Sequence, residues 1–122
     1  MTKPPITSQI TWVYTENTEA SFRFWGEDLG LELERDAGTA RIYRTAEGAR
    51  VGVCEAFDAR VVQPEGSMIT LITEDVDGWY EALLARGVPT RGAPEVLERF
   101  GIYSFFCLDP SGYVVEIQTF LD

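Results

Sequence analysis

Apolar and polar positions along this chain switch between two periods, and they do so twice. Gln9-Ile-Thr-Trp-Val-Tyr-Thr15 alternates and is rich in β-branched and aromatic side chains, as a half-buried strand is. From Thr18 to about Asp28 the period lengthens. Phe22, Trp25 and Leu29 recur at helical spacing, Asn17 is placed to cap the helix, and Gly30 to end it. Leu31–Glu34, Ala40–Arg44 and Arg50–Glu55 then read as short strands, with turns at Asp36-Ala-Gly38 and Glu47-Gly48. A linker containing Pro64 and Gly66 follows over about 58–67, and the pattern restarts. Met68–Thr73 is a strand, Asp75 an N-cap, and Val76, Trp79, Tyr80, Leu83 and Leu84 trace an apolar helical face that ends at Arg86-Gly87. Val88–Gly101, with two prolines and two glycines, is expected to be mostly irregular. Ile102–Leu108 and Tyr113–Phe120 close the chain as a hairpin.

The hairpin turn, Asp109-Pro-Ser-Gly112, suits a type I turn whose glycine takes the left-handed conformation of a bulge. That register pairs Asp109 with Tyr113 and Phe106 with Glu116. Ser104, Phe106, Glu116 and Gln118 then share one face, and Phe105, Cys107, Val115 and Ile117 the other. The second set is wholly apolar and is expected under a helix. The first mixes polar and aromatic groups, as a ligand cavity does. Asn17–Gly30 matches Asp75–Gly87, and Gly48–Gly52 matches Gly112–Glu116, so an internal duplication is the simplest account. The expected fold is α+β: two tandem βαβββ modules, about 8–57 and about 68–122, whose concave sheets surround a cavity.

At 122 residues the chain has the size of one domain. Twenty acidic residues against ten Lys plus Arg give a net charge of −10, which opposes binding to nucleic acid or an anionic membrane. No apolar run approaches the roughly 20 residues of a membrane span, and Met1–Gln9 lacks the apolar stretch of a signal peptide, so a cytoplasmic location is expected. The count that changes the picture most is zero histidine. Imidazole-based catalysis and imidazole-ligated metals are thereby excluded. Cys54 and Cys107 show no Cys-x-x-Cys spacing and are expected to be reduced core thiols.

Asn17-Thr-Glu-Ala-Ser-Phe-Arg-Phe-Trp-Gly-Glu-Asp-Leu-Gly-Leu31, Glu74-Asp-Val-Asp-Gly-Trp-Tyr80, Leu84-Ala-Arg-Gly-Val88 and Cys107-Leu-Asp-Pro-Ser-Gly-Tyr-Val-Val-Glu116 together resemble the vicinal oxygen chelate superfamily. That group includes glyoxalase I, bleomycin-resistance proteins, extradiol dioxygenases and fosfomycin-resistance enzymes. The resemblance implies a metal held in the cavity by the first and last strands of each module. Those four positions carry over to Ile10, Gly52, Met68 and Glu116, of which only Glu116 is a metal-binding side chain. Cys54, on the strand face of Gly52, is the one further donor nearby. No metal or other cofactor is therefore expected.

Three functions stay open, the third being a purely structural or interaction role. The first is a binding protein like the bleomycin-resistance branch, with Trp12, Tyr14, Met68, Thr70, Ser104 and Phe106 lining a cavity for a small aromatic or cationic ligand, and Glu116 as counter-charge. The second is an enzyme of the lyase, isomerase or dioxygenase-like kind using Glu116 as general base or residual metal ligand. A purely structural role would fill the concave faces with bulky side chains, whereas Gly52, Thr70 and Ser104 leave room. The resemblance also implies a homodimer.

Overall fold

The computed structural model describes residues 3–122. They form two compact units, one ending at Val62 and the other spanning Gln63–Asp122. In the first unit, β1 (Gln9–Thr15) leads into α1 (Thr18–Arg23), followed by β2 (Glu32–Asp36), β3 (Ala40–Ala46) and β4 (Ala49–Glu55). The strand order is β1-β4-β3-β2, with β1 parallel to β4 and the remaining pairs antiparallel. The second unit repeats the scheme with β5 (Met68–Ile72), α2 (Val76–Ala85), β6 (Glu95–Leu97), β7 (Ile102–Leu108) and β8 (Val114–Phe120), in the order β5-β8-β7-β6. This is the expected α+β pair of βαβββ modules.

Both helices start where their caps predict. The Asn17 side chain accepts a hydrogen bond from the Ala20 N–H at 3.1 Å, and Asp75 does the same for Gly78 at 2.9 Å. The first helix departs from expectation after Arg23. Phe24–Asp28 widens into a π-helical turn, in which the Leu29 N–H reaches back to the Phe24 carbonyl at 2.9 Å. The wider turn brings Gly26 against the Tyr43 ring, where an added Cβ would sit 3.2 Å from Cε1. Phe24 and Trp25 are buried there and meet edge to face at 5.1 Å.

In the second unit Phe105, Cys107, Val115 and Ile117 are all buried, and Tyr80 of α2 meets Phe105 edge to face at 5.3 Å. The expected register therefore holds. Phe106 faces Glu116, the Asp109 N–H donates to the Tyr113 carbonyl at 2.9 Å, and Gly112 has φ +91°. Leu84 lies at the rim of the helical stripe and is 47 % exposed, so the buried face of α2 is narrower than its sequence suggests. The segment Val88–Gly101 is also more ordered than its prolines and glycines imply. It runs beside β7, with a Thr90–Cys107 bridge, an Arg91 N–H to Phe106 carbonyl bond of 2.8 Å, and β6.

Candidate functional site

Alternation along β5, β8 and β7 arranges the helix-free face of the second unit in rows. Met68, Val114 and Leu108 form one row, Thr70, Glu116 and Phe106 the next, and Ile72, Gln118 and Ser104 the third. Glu116 is only 4 % exposed, and the Thr70 hydroxyl donates to its Oε1 at 2.8 Å. The Ser104 hydroxyl is buried without a hydrogen-bond partner among the described residues. A pocket of about 590 Å³ opens at the Met68 end of this face, bounded by Pro64, Glu65, Met68, Arg91, Phe106 and Val114. Of the residues singled out by sequence, Met68 and Phe106 line the pocket. Thr70 and Glu116 pair with each other beside it, and Ser104 lies in the row beyond.

One wall of the pocket comes from the chain just before β5. The Tyr113 hydroxyl accepts the Gln63 N–H at 3.1 Å, which ties that segment to the residue after the hairpin turn. Arg91 was not foreseen, because nothing in an isolated Thr-Arg-Gly stretch says which strand it will lie beside. The Thr90–Cys107 bridge and the Arg91–Phe106 hydrogen bond set it opposite Phe106, so both project to the same face. Tyr103 projects to the other side, where its hydroxyl donates to Asp77 at 2.6 Å. That carboxylate acceptor raises the phenol above its ordinary range. Cys107 is fully buried on the helix side, and burial together with the Asp109 charge pushes its thiol up to about 12.

The first unit presents the corresponding face differently. Trp12 and Gly52 are cross-strand partners, and the indole lies over the glycine so closely that an added Cβ would come within 2.7 Å of Cδ2. Tyr14 lies beside Cys54 in the next row and accepts a hydrogen bond from Arg60 Nη1 at 3.3 Å. Arg50, in the row of Ile10, pairs with Glu34 through Nε at 2.9 Å and Nη2 at 3.0 Å. Cys54 is buried, and both cysteines are free.

The sequence matches the family described as the Glyoxalase/Bleomycin resistance protein/Dioxygenase superfamily over residues 7–117. The chain belongs to this superfamily. No protein of curated function matches it. Among solved structures, a glyoxalase/bleomycin resistance protein/dioxygenase from Nocardioides is similar with a TM-score of 0.76 at 18 % identity, covering 100 % of this chain and 87 % of that one. A glyoxalase/bleomycin resistance protein from Catenulispora acidiphila gives 0.74 at 22 %, covering 93 % and 98 %. Lactoylglutathione lyase from Agrobacterium tumefaciens gives 0.74 at 21 %, covering 95 % of each. At these identities the likeness is one of fold.

The superfamily's enzymes imply a metal at Ile10, Gly52, Met68 and Glu116, and the donor set here does not fit one. Ile10 has no donor atom, Gly52 has no side chain and lies under an indole, and Met68 offers a thioether, a poor ligand for hard cations. Glu116 already accepts a hydrogen bond from Thr70. Among the described residues no group of three His, Cys, Asp or Glu side chains comes together as a metal site would require.

Proposed function

We propose that this chain is a metal-independent small-molecule binding protein of its superfamily, taking a planar organic ligand on the helix-free face of the second unit. The observation behind this reading is the pocket of about 590 Å³ at Met68, Phe106 and Val114, which lies in the ~300–1,000 Å³ range of small-molecule sites. Phe106 supplies a ring to stack on, and Met68 a deformable apolar wall. Trp12 and Tyr14 contribute to the other unit, where Trp12 acts as a cover for Gly52. The test is calorimetric titration of metal-stripped protein with bicyclic aromatic compounds. Phe106→Ala is expected to weaken binding roughly tenfold or more. Equal affinity in the variant would count against the pocket.

A second reading has one specific observation in its favour: Glu116 is a buried carboxylate with one oxygen engaged by Thr70, which leaves the other oxygen to act as a general base. Glu116→Gln separates the two. A binding protein keeps its affinity and shows no turnover in either form, whereas a base-dependent enzyme loses roughly a hundredfold or more in rate.

We also propose that the chain is a homodimer. β1 and β5 are edge strands, and they carry Ile10 and Ile72, the latter 67 % exposed. Light scattering coupled to size exclusion is expected to give twice 13.7 kDa, and a monomer would contradict it.

A further inference from the structure

The cations of the two units are used differently. Arg50 in the first is neutralised by Glu34 through two short contacts. Arg86, Arg91 and Arg99 are the only cationic side chains in Gln63–Asp122. Arg86 caps α2, and Arg99 lies over the Phe100 ring at 5.5 Å. Arg91 alone lines the pocket. Among the described residues no carboxylate lies within 4.0 Å of its guanidinium, although Glu65 lies on the same rim. Its backbone is fixed by the bond to the Phe106 carbonyl, so the charge is anchored beside the aromatic ring while the fork stays unpaired. A planar guanidinium in that position can accept a carboxylate in bidentate fashion.

We propose that Arg91 selects the charge of the ligand: the pocket takes an aromatic or otherwise planar carboxylate, its body against Phe106 and Met68 and its anionic group on Arg91. This rests on the binding reading above and reverses the expectation of a cationic ligand. Glu116 was the counter-charge expected for a cation, and it is engaged by Thr70 and does not line the pocket. Glu65, on the exposed rim, acts against the anion and sets an upper limit on affinity.

Three probes built on one naphthalene body test it by calorimetry: naphthalene-2-carboxylate, its planar isostere naphthalene-2-carboxamide, and 2-naphthylmethylammonium. The carboxylate is expected to bind at least tenfold more tightly than the amide, and the ammonium more weakly than either. Arg91→Ala should bring the carboxylate down to the affinity of the amide, Arg91→Lys should retain part of the preference, and Glu65→Gln should tighten the carboxylate two- to threefold. Because the Arg91 side chain is exposed, the variants are expected to unfold at the wild-type temperature, which circular dichroism checks. Binding that ignores charge, or a carboxylate preference that survives Arg91→Ala, overturns the assignment of Arg91 and leaves the pocket standing. Failure of all three probes to saturate the wild type overturns the pocket itself.

Discussion

The two units share a strand plan and differ in what they place at its centre. At matching positions the first unit has an indole lying over a glycine, Trp12 on Gly52, and the second has a hydroxyl bonded to a carboxylate, Thr70 to Glu116. Their cations differ in the same way, Arg50 being paired and Arg91 unpaired. The two units thus share one strand order and one pattern of parallel and antiparallel pairing, while the side chains on their helix-free faces differ. At the matching rows one unit lays an indole on the sheet, and the other carries an acid and, beside its pocket, an available charge.

Making the first unit resemble the second should be the most damaging change. Gly52→Glu must displace the Trp12 indole and also buries a charge, and is expected to cost about 3 kcal/mol or more. Adding Trp12→Thr should return part of that loss. Urea denaturation measures both, and a Gly52→Glu protein of wild-type stability would mean that the indole is not committed to the glycine. A smaller effect is expected in the second unit. Thr70→Val strips a donor from a buried carboxylate and should cost about 1–3 kcal/mol, whereas adding Glu116→Leu should recover most of it, since both partners are then apolar. No recovery in the double variant would show that Glu116 has another partner.

The buried thiol sharpens the comparison on the helix side. Cys107 is held neutral in the fold with a pKa near 12, above the ordinary value near 9. Between those values the unfolded chain has released a proton that the folded one retains, so stability falls as pH rises through the window. Denaturation midpoints should decline from about pH 9 to pH 12, and Cys107→Ala should flatten that decline. An unchanged slope would move the effect to another group. The smallest effect is expected at the pocket wall. Tyr113→Phe removes the acceptor of the Gln63 N–H and should cost about 0.5–1.5 kcal/mol, with faster hydrogen exchange at Gln63.

What could be read without coordinates was set by local chemistry. Caps at Asn17 and Asp75, alternation in β1, and the Asp-Pro-Ser-Gly turn all act over a few residues, and they fixed the hairpin register to the residue. That register in turn put Phe106 beside Glu116 and Cys107 under α2. Three features were beyond such reasoning. The π-turn at Phe24–Asp28 accompanies the contact of Gly26 with Tyr43, a residue far along the chain. β6 and Arg91 are placed by bonds to β7 that no local signal announces. The strand face of Trp12 was legible, whereas the position of its ring over the cross-strand neighbour Gly52 was not, because the pairing of β1 with β4 joins segments far apart in the chain.

The central claim is that the second unit alone binds the ligand and needs no metal to do so. Amide chemical-shift mapping of metal-stripped, 15N-labelled protein, titrated with naphthalene-2-carboxylate and its carboxamide, tests it most directly. Saturable shifts are predicted at Met68, Phe106 and Val114, with Trp12 and Gly52 unmoved. Shifts centred on Trp12 and Gly52, shifts that emerge only after a divalent metal is restored, or no saturable shift with either compound would contradict it.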